Sequence, residues 1–224
     1  MRVNQLLTNK YLLKFLKKIK LKKYLYLRYI FKYCRKKKLM THSSKSELPI
    51  KNALLLVDIQ EKIISPINNK ESIIKNIQKL LSAYQILDEN IFVSEQNPLK
   101  LGKTIPKLLP KVRFTNTQKM DFSLATSKVL FEELHDKKIS NLIICGFETH
   151  ICIQQSVLEF LKKGYEVVII SDAMGSRNNL DHEIALQRML HKGAIITTTE
   201  SIIFEICKTS DRKEFKEISN IIKS

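Results

Sequence analysis

A chain of 224 residues in which 44% of the side chains are hydrophobic can bury a real core, most simply as one domain, which excludes a disordered or low-complexity protein. Its net charge of +17 is unevenly placed: residues 1–40 hold 14 Lys and Arg and no acid, leaving 25 basic against 22 acidic residues from Thr41 onward, a balance of +3. A near-neutral body removes the main support for nucleic-acid binding by the domain, so any polyanion or membrane role belongs to the first forty residues.

That segment includes "YLLKFLKKIKLKKYLYLRYIFKYCRKKK", which has no Gly or Pro and spaces Leu12, Leu16, Ile19 and Lys23 roughly as a helix would. No apolar run in it approaches the ~20 residues a membrane span requires. Met40 followed by "THSSKSELPIK" looks like an ordinary start with a polar lead-in. Residues 1–48 therefore read as a basic extension, disordered or not translated, and residues 49–224 as the domain. A basic amphipathic helix on an anionic membrane surface, through residues 1–40, is the competing reading. A targeting peptide is a third, although such peptides favour Arg and Ser over this Lys and Tyr.

Through the body, six β-rich runs follow one another: "ALLLVD", "NIFVSE", "KVRFTN", "NLIICG", "EVVIISD" and "AIITTTE". Each is apolar through its middle, as strands covered on both faces are. Helical patterns lie between them near Glu71–Leu87, Thr126–His135, Ile153–Lys163 and Asp181–Lys192. In "KKGYEVVII" and "HKGAIITT", lysines in a last helical turn precede Gly164 or Gly193 and then a strand, as in a glycine C-cap feeding a βαβ unit. The pattern predicts a three-layer, doubly wound α/β fold with a parallel six-stranded sheet of order 3-2-1-4-5-6. Strands one and four then meet where the winding reverses, and ligands bind in that crevice.

Four cysteines without CxxC spacing, in a chain lacking a signal-peptide core, point to free thiols in a reducing, cytoplasmic compartment. The five histidines are far apart and lack HxxxH or HxH spacing, so no metal is expected. Only five glycines occur, in neither a GxGxxG nor a GxxxxGK[ST] arrangement, which leaves nucleotide cofactors without an anchor and no cofactor expected.

Asp58 ends strand one in "LLLVDIQ", and Cys152 sits in "GFETHIC", which follows strand four and opens a helix. Alone, the Asp could be a loop anchor and the Cys a small packed residue. Together at the switch point they specify chemistry: the positive helix end favours a thiolate, and the carboxylate can take its proton. Such a pair also needs a cation. Lys119, in the loop expected after strand three, is a candidate, but spacing does not separate it from Lys62 or Lys103. His150, two residues before the thiol in a tight loop, is poorly placed to pair with it. Gln60, Glu95, Gln96 and Thr149 are candidate substrate-binding residues near strand ends, with loop anchoring as the competing role for Gln60 and Glu95. Cys145 and Cys207 read as inert, and Arg177 as a partner for a structural carboxylate.

From about Asn52 to Lys223, "LLLVDIQEK", "SEQNPLKLGKTIP", "KMDFS", "GFETHICIQQS", "GYEVVIISDAMGSR" and "TTTESIIFEI" resemble the isochorismatase-like cysteine hydrolase superfamily, in particular its isochorismatase-domain-containing group. The resemblance implies a catalytic triad of Asp58, Lys119 and Cys152, a cis peptide at Phe147–Glu148, and frequent homo-oligomers. It also implies an oxyanion hole from the backbone N–H groups of Glu148 and Cys152, and hydrolysis of a small-molecule amide through a thioester. Nicotinamidases in this superfamily hold a metal with histidines after strand one; "QEKIISPINNKESIIKN" has none. Isochorismatase proper lacks the cysteine nucleophile, so Cys152 points toward amide-type hydrolysis. A catalytically silent binding or scaffold protein of the same fold is the alternative.

Overall fold

The computed structural model describes residues 51–223. The readings of the basic segment, its membrane-surface role and the boundary at residue 48 lie outside the described residues. Six strands, β1 (Lys51–Val57), β2 (Asn90–Gln96), β3 (Thr115–Lys119), β4 (Ile139–Phe147), β5 (Glu166–Gly175) and β6 (Ile195–Thr197), form one sheet in the order β3-β2-β1-β4-β5-β6. Every neighbouring pair is parallel. The principal helices are α1 (Lys70–Ile86), α2 (Lys128–Asp136), α3 (Gln154–Lys162), α4 (Asn179–His191), α5 (Thr199–Cys207) and α6 (Phe215–Lys223).

Alternate side chains of β1 enter different cores, which explains its continuous apolar run. Leu54 and Leu56 pack with Ile77, Leu80 and Tyr84 of α1 and with Ile203 of α5. Ala53, Leu55 and Val57 pack on the other face with Leu130 of α2, Phe160 of α3 and Met189 of α4. Each fully buried Leu or Ile is worth about 1.5–3 kcal/mol of transfer from water, so both helical layers are held largely by these faces. Gly164 and Gly193 have φ of 88° and 106° directly after α3 and α4, the left-handed geometry expected of their caps.

Two elements differ from the sequence expectation. The third strand is not "KVRFTN" but the later "TNTQK", which pairs Phe92 with Thr115 and Gln96 with Lys119. It is an edge strand, and its inner residues Thr117 and Lys119 alternate with exposed Asn116 and Gln118. A polar alternating run carries no signal under a rule that seeks continuous apolarity. Lys119 consequently ends the strand instead of lying in the loop beyond it. The sixth strand stops at Thr197, and Thr199 begins α5, where the Asp172 carboxylate accepts its backbone N–H at 2.8 Å and its hydroxyl at 2.9 Å.

Among the described residues, no helix is long and apolar enough to cross a membrane.

Candidate active site

The register brings the site together. Val57 lies opposite Ser94 on one side and Gly146 on the other, while Gln96 lies opposite Lys119. The residue after β1, the end of β3 and the end of β4 thus share one edge of the sheet, at the reversal of winding. Gly146 is required for this: at φ 122°, a Cβ there would stand 2.1 Å from the Val57 carbonyl oxygen.

Asp58 takes a left-handed turn (φ 51°) as the chain leaves β1, a conformation that Asp tolerates better than most residues. Its side chain is fully buried. Ser94 donates to Oδ1 at 2.6 Å, and the ammonium of Lys119 lies 2.7 Å from Oδ2. Lys119 also donates to Gln96 Oε1 at 2.6 Å and to the Phe122 carbonyl at 3.1 Å. All three ammonium protons are therefore accepted by the protein, which allows a buried lysine to persist as an ion.

Cys152 lies in a wide helical turn, Thr149–Ile153, that runs into α3. The Phe147–Glu148 peptide before it is cis. The Glu148 carbonyl accepts from Ile151 N at 3.2 Å and Ile153 N at 3.3 Å, which closes the turn around the cysteine. Behind it, Ser156 donates to the Cys152 carbonyl at 2.6 Å and accepts from Leu124 N at 2.8 Å. Cys152 Sγ is 4.0 Å from Gln96 Oε1.

The electrostatics differ from the expectation of a helix-stabilised thiolate. Burial first, and the Asp58 carboxylate second, push the Cys152 thiol up to about 12, with Lys119 opposing the rise. Because Lys119 already faces Asp58, its charge is largely spent before it reaches the sulfur. The shift favours the thiol form of Cys152, beside a carboxylate and a cation that are paired with each other.

The remaining candidates separate by what their polar atoms touch. Gln60, fully buried, donates to the Gln96 carbonyl at 3.0 Å and accepts from Gln96 N at 2.7 Å, anchoring the end of β2. Glu95 accepts from Thr104 N at 2.7 Å and Thr104 Oγ1 at 3.0 Å. Thr149 is fully buried, with Oγ1 2.9 Å from His182 Nδ1. These three are engaged within the protein, whereas Gln96 lines the cavity over Cys152. His150 faces Ser176 Oγ at 2.9 Å and lies 3.6 Å from Glu148 Oε2, with no contact to the thiol among these interactions. Lys62 donates to the Lys100 carbonyl. Burial pushes the Cys145 thiol up, and Asp172 adds to that.

The cavity has a volume of about 220 Å³. Ile63, Leu101, Phe122 and Ile151 give it an apolar wall, and Lys62, Glu148 and Arg177 stand around it with Cys152 and Gln96. Arg177 Nε lies 2.7 Å from Glu148 Oε1, the carboxylate pairing expected for it. Sequence reasoning missed two participants, Ser94 and the Glu148 side chain. Side chains two apart on a strand share a face, so a crevice-facing Gln96 implies the same for Ser94. Glu148 carries no such signal, because its direction depends on the turn after β4. Among the described residues, no group of three or more His, Cys, Asp or Glu could hold a metal ion.

The isochorismatase domain family matches residues 52–201. Isochorismatase family protein 1B of Dictyostelium discoideum is 40% identical over 182 residues, covering 79% of this chain and 88% of that protein. Among solved structures, the MAR1 ribonuclease of Caenorhabditis elegans superimposes with a TM-score of 0.74 at 34% identity, over 79% of this chain and 91% of that one. A cysteine hydrolase from Pseudomonas syringae gives 0.67 at 20% identity, over 74% and 99%, a likeness of fold.

Proposed function

This chain belongs to the isochorismatase family of hydrolases, and from that premise we propose that it hydrolyses a small amide with Cys152 as the nucleophile. The observation that carries the reading is the buried Lys119–Asp58 ion pair beside a buried thiol at the C-terminal edge of a parallel sheet. Such a thiol is useless as a free nucleophile near neutral pH but becomes one when a base takes its proton during attack.

In the proposed reaction, a substrate carbonyl enters the cavity over Cys152, beside the buried Asp58 carboxylate. Asp58 takes the Sγ proton as sulfur bonds to the carbonyl carbon. Lys119, whose protons are all accepted within the protein, keeps Asp58 aimed and limits the accumulation of negative charge. Backbone N–H groups of Glu148 and Cys152 hold the oxyanion. Asp58 returns the proton to the departing nitrogen, leaving a thioester on Cys152. A water deprotonated by the same carboxylate then releases the acid. Two lower barriers replace one high barrier, the usual gain from a covalent nucleophile.

The test is a panel of small primary amides with the wild type, Cys152→Ala and Asp58→Asn, read by ammonia release and by the mass of the Cys152 peptide after acid quench. An acyl adduct on Cys152, and release lost in both variants, are the expected results. RNA belongs in the same assay, since the Caenorhabditis elegans relative is called a ribonuclease; RNA cleavage that survives Cys152→Ala would overturn the amide reading. Absence of any adduct or turnover across the panel would favour a silent binding protein of the same fold.

A further inference from the structure

Three consecutive residues between β4 and Cys152 are each held by a side chain of one short segment, the link from β5 into the first turn of α4. Arg177 Nε lies 2.7 Å from Glu148 Oε1, His182 Nδ1 lies 2.9 Å from Thr149 Oγ1, and Ser176 Oγ lies 2.9 Å from His150 Nδ1. The links are unequal. The Arg177 side chain is 59% exposed, where water and salt screen an ion pair. His150 is half-buried. Thr149 is fully buried, and His182 is the one hydrogen-bond partner of its hydroxyl among the described residues. A buried hydroxyl without a partner is costly, so this link resists breaking most.

Thr149 also carries the main chain of the turn. Its carbonyl accepts from Gln154 N, a bond that spans Cys152 and is one residue wider than an α-helical one. Such wide turns are rare, and this one has its restraint in α4, whose Ala185 and Met189 pack in the same apolar cluster as Cys152, Ile153 and Val157. Relaxation to α-helical spacing would rotate the turn against α3 by about 100°, the angle of one residue, and Cys152 Sγ would leave its place near Gln96.

We propose that His182 is a positioning residue, which through the Thr149 hydroxyl keeps this turn wide and holds Cys152 beside Asp58 and Lys119. The proposal rests on reading Cys152 as the nucleophile and adds what aims it. Burial lowers the His182 ring below the ordinary histidine range, with Glu183 opposing, so above pH 7 the link joins an uncharged ring to a hydroxyl. A neutral amide at the place of Nδ1 can therefore stand in for the ring. The amide of asparagine falls there, whereas that of glutamine falls at the place of Nε2.

The test is iodoacetamide alkylation from pH 7 to 10, read on each cysteine peptide by mass spectrometry, with the fully buried Cys145 as internal control. In Thr149→Val and in His182→Leu, Cys152 should react about tenfold faster at pH 8, a displacement of its rising limb by about one pH unit as the released thiol gains water. Cys145 should not change. The double variant should match either single one, because both remove the same link. His182→Asn should stay within about twofold of wild type, and His182→Gln should behave as His182→Leu. With an amide substrate, kcat should fall roughly tenfold or more in Thr149→Val and His182→Leu at little change in KM, the mark of a misaimed nucleophile. Profiles that overlay the wild type, a Cys145 rate that rises in step with Cys152, or additive effects in the double variant overturn the proposal. If His182→Leu does not fold, Asn against Gln decides, and equal profiles for those two overturn it. The alkylation pattern without Cys152-dependent hydrolysis of any amide would remove the hydrolase reading and leave the link. Hydrolysis with Thr149→Val indistinguishable from wild type would remove the link and leave the hydrolase.

Discussion

Asp58 and Lys119 act on the same sulfur with opposite signs, which makes their substitutions distinguishable. The Asp58 carboxylate raises the thiol and Lys119 lowers it. Alkylation of Cys152 by iodoacetamide should therefore climb about tenfold per pH unit from 7 through 10, where an ordinary thiol of pKa ~8.5 has already levelled off. Lys119→Met should slow that alkylation, while Asp58→Asn should speed it even as hydrolysis is lost. A plateau by pH 9 in the wild type, or both variants moving in one direction, would refute this reading of the site. Gln96 belongs to the same scale. It holds Lys119 at 2.6 Å and is itself held at its backbone by Gln60, so it acts by positioning. Gln96→Leu should lower kcat by roughly tenfold or more, in keeping with the loss of a hydrogen bond to a buried charge, and should shift the pH profile of Cys152 alkylation. An unchanged profile would leave Gln96 with a packing role only.

At the scale of elements, the close approach of β1 and β4 depends on a missing side chain. Because a Cβ at Gly146 would stand 2.1 Å from the Val57 carbonyl oxygen, Gly146→Ala must separate the two central strands or distort both. A loss of stability above about 3 kcal/mol is expected, measured by urea unfolding, together with loss of Cys152 chemistry even in the folded fraction. A variant within about 1 kcal/mol of wild type would show that the two strands can yield there. These same strands explain what was legible in advance. β1, β2, β4 and β5 are buried on both faces, so Leu54–Val57 and Leu142–Cys145 are apolar without interruption and announce themselves. The glycine caps at 164 and 193 supplied direction and topology. β3 lies at the edge and buries one face, so its alternating polar residues were passed over for the more apolar run before them. Asp58 and Cys152 could be brought together because both follow central strands. Lys119 could not be separated from other lysines until its strand was placed, and its assignment came from family resemblance. Ser94 and Glu148 required geometry: one shows itself through strand alternation, the other only through the turn at 147–153.

For the whole molecule, the buried thiols and phenol make alkaline pH the weak side of stability. Burial raises Cys145 and Tyr84, and burial together with the Asp58 carboxylate raises Cys152 to about 12. A group whose pKa is higher folded than unfolded contributes stability that is complete below its unfolded value and is lost as pH rises toward its folded value. For the cysteines that window opens near pH ~8.5. There the unfolded chain sheds the proton while the native core retains it. Each such group then costs about 1.36 kcal/mol per pH unit. Unfolding in urea at pH 8, 9.5 and 11 should accordingly show a steepening loss, with a midpoint that moves down more per unit above pH 9 than below it. Cys145 lies in β4 away from the proposed chemistry and is fully buried, so Cys145→Ala isolates one share. The variant starts less stable for having lost a packed sulfur, but its pH dependence between 9.5 and 11 should be shallower by about 1.4 kcal/mol per unit. Parallel slopes in variant and wild type would mean that the Cys145 thiol reaches water before global unfolding. In that case β4 would open locally, and the central strand could not be the rigid support on which the Cys152 turn depends.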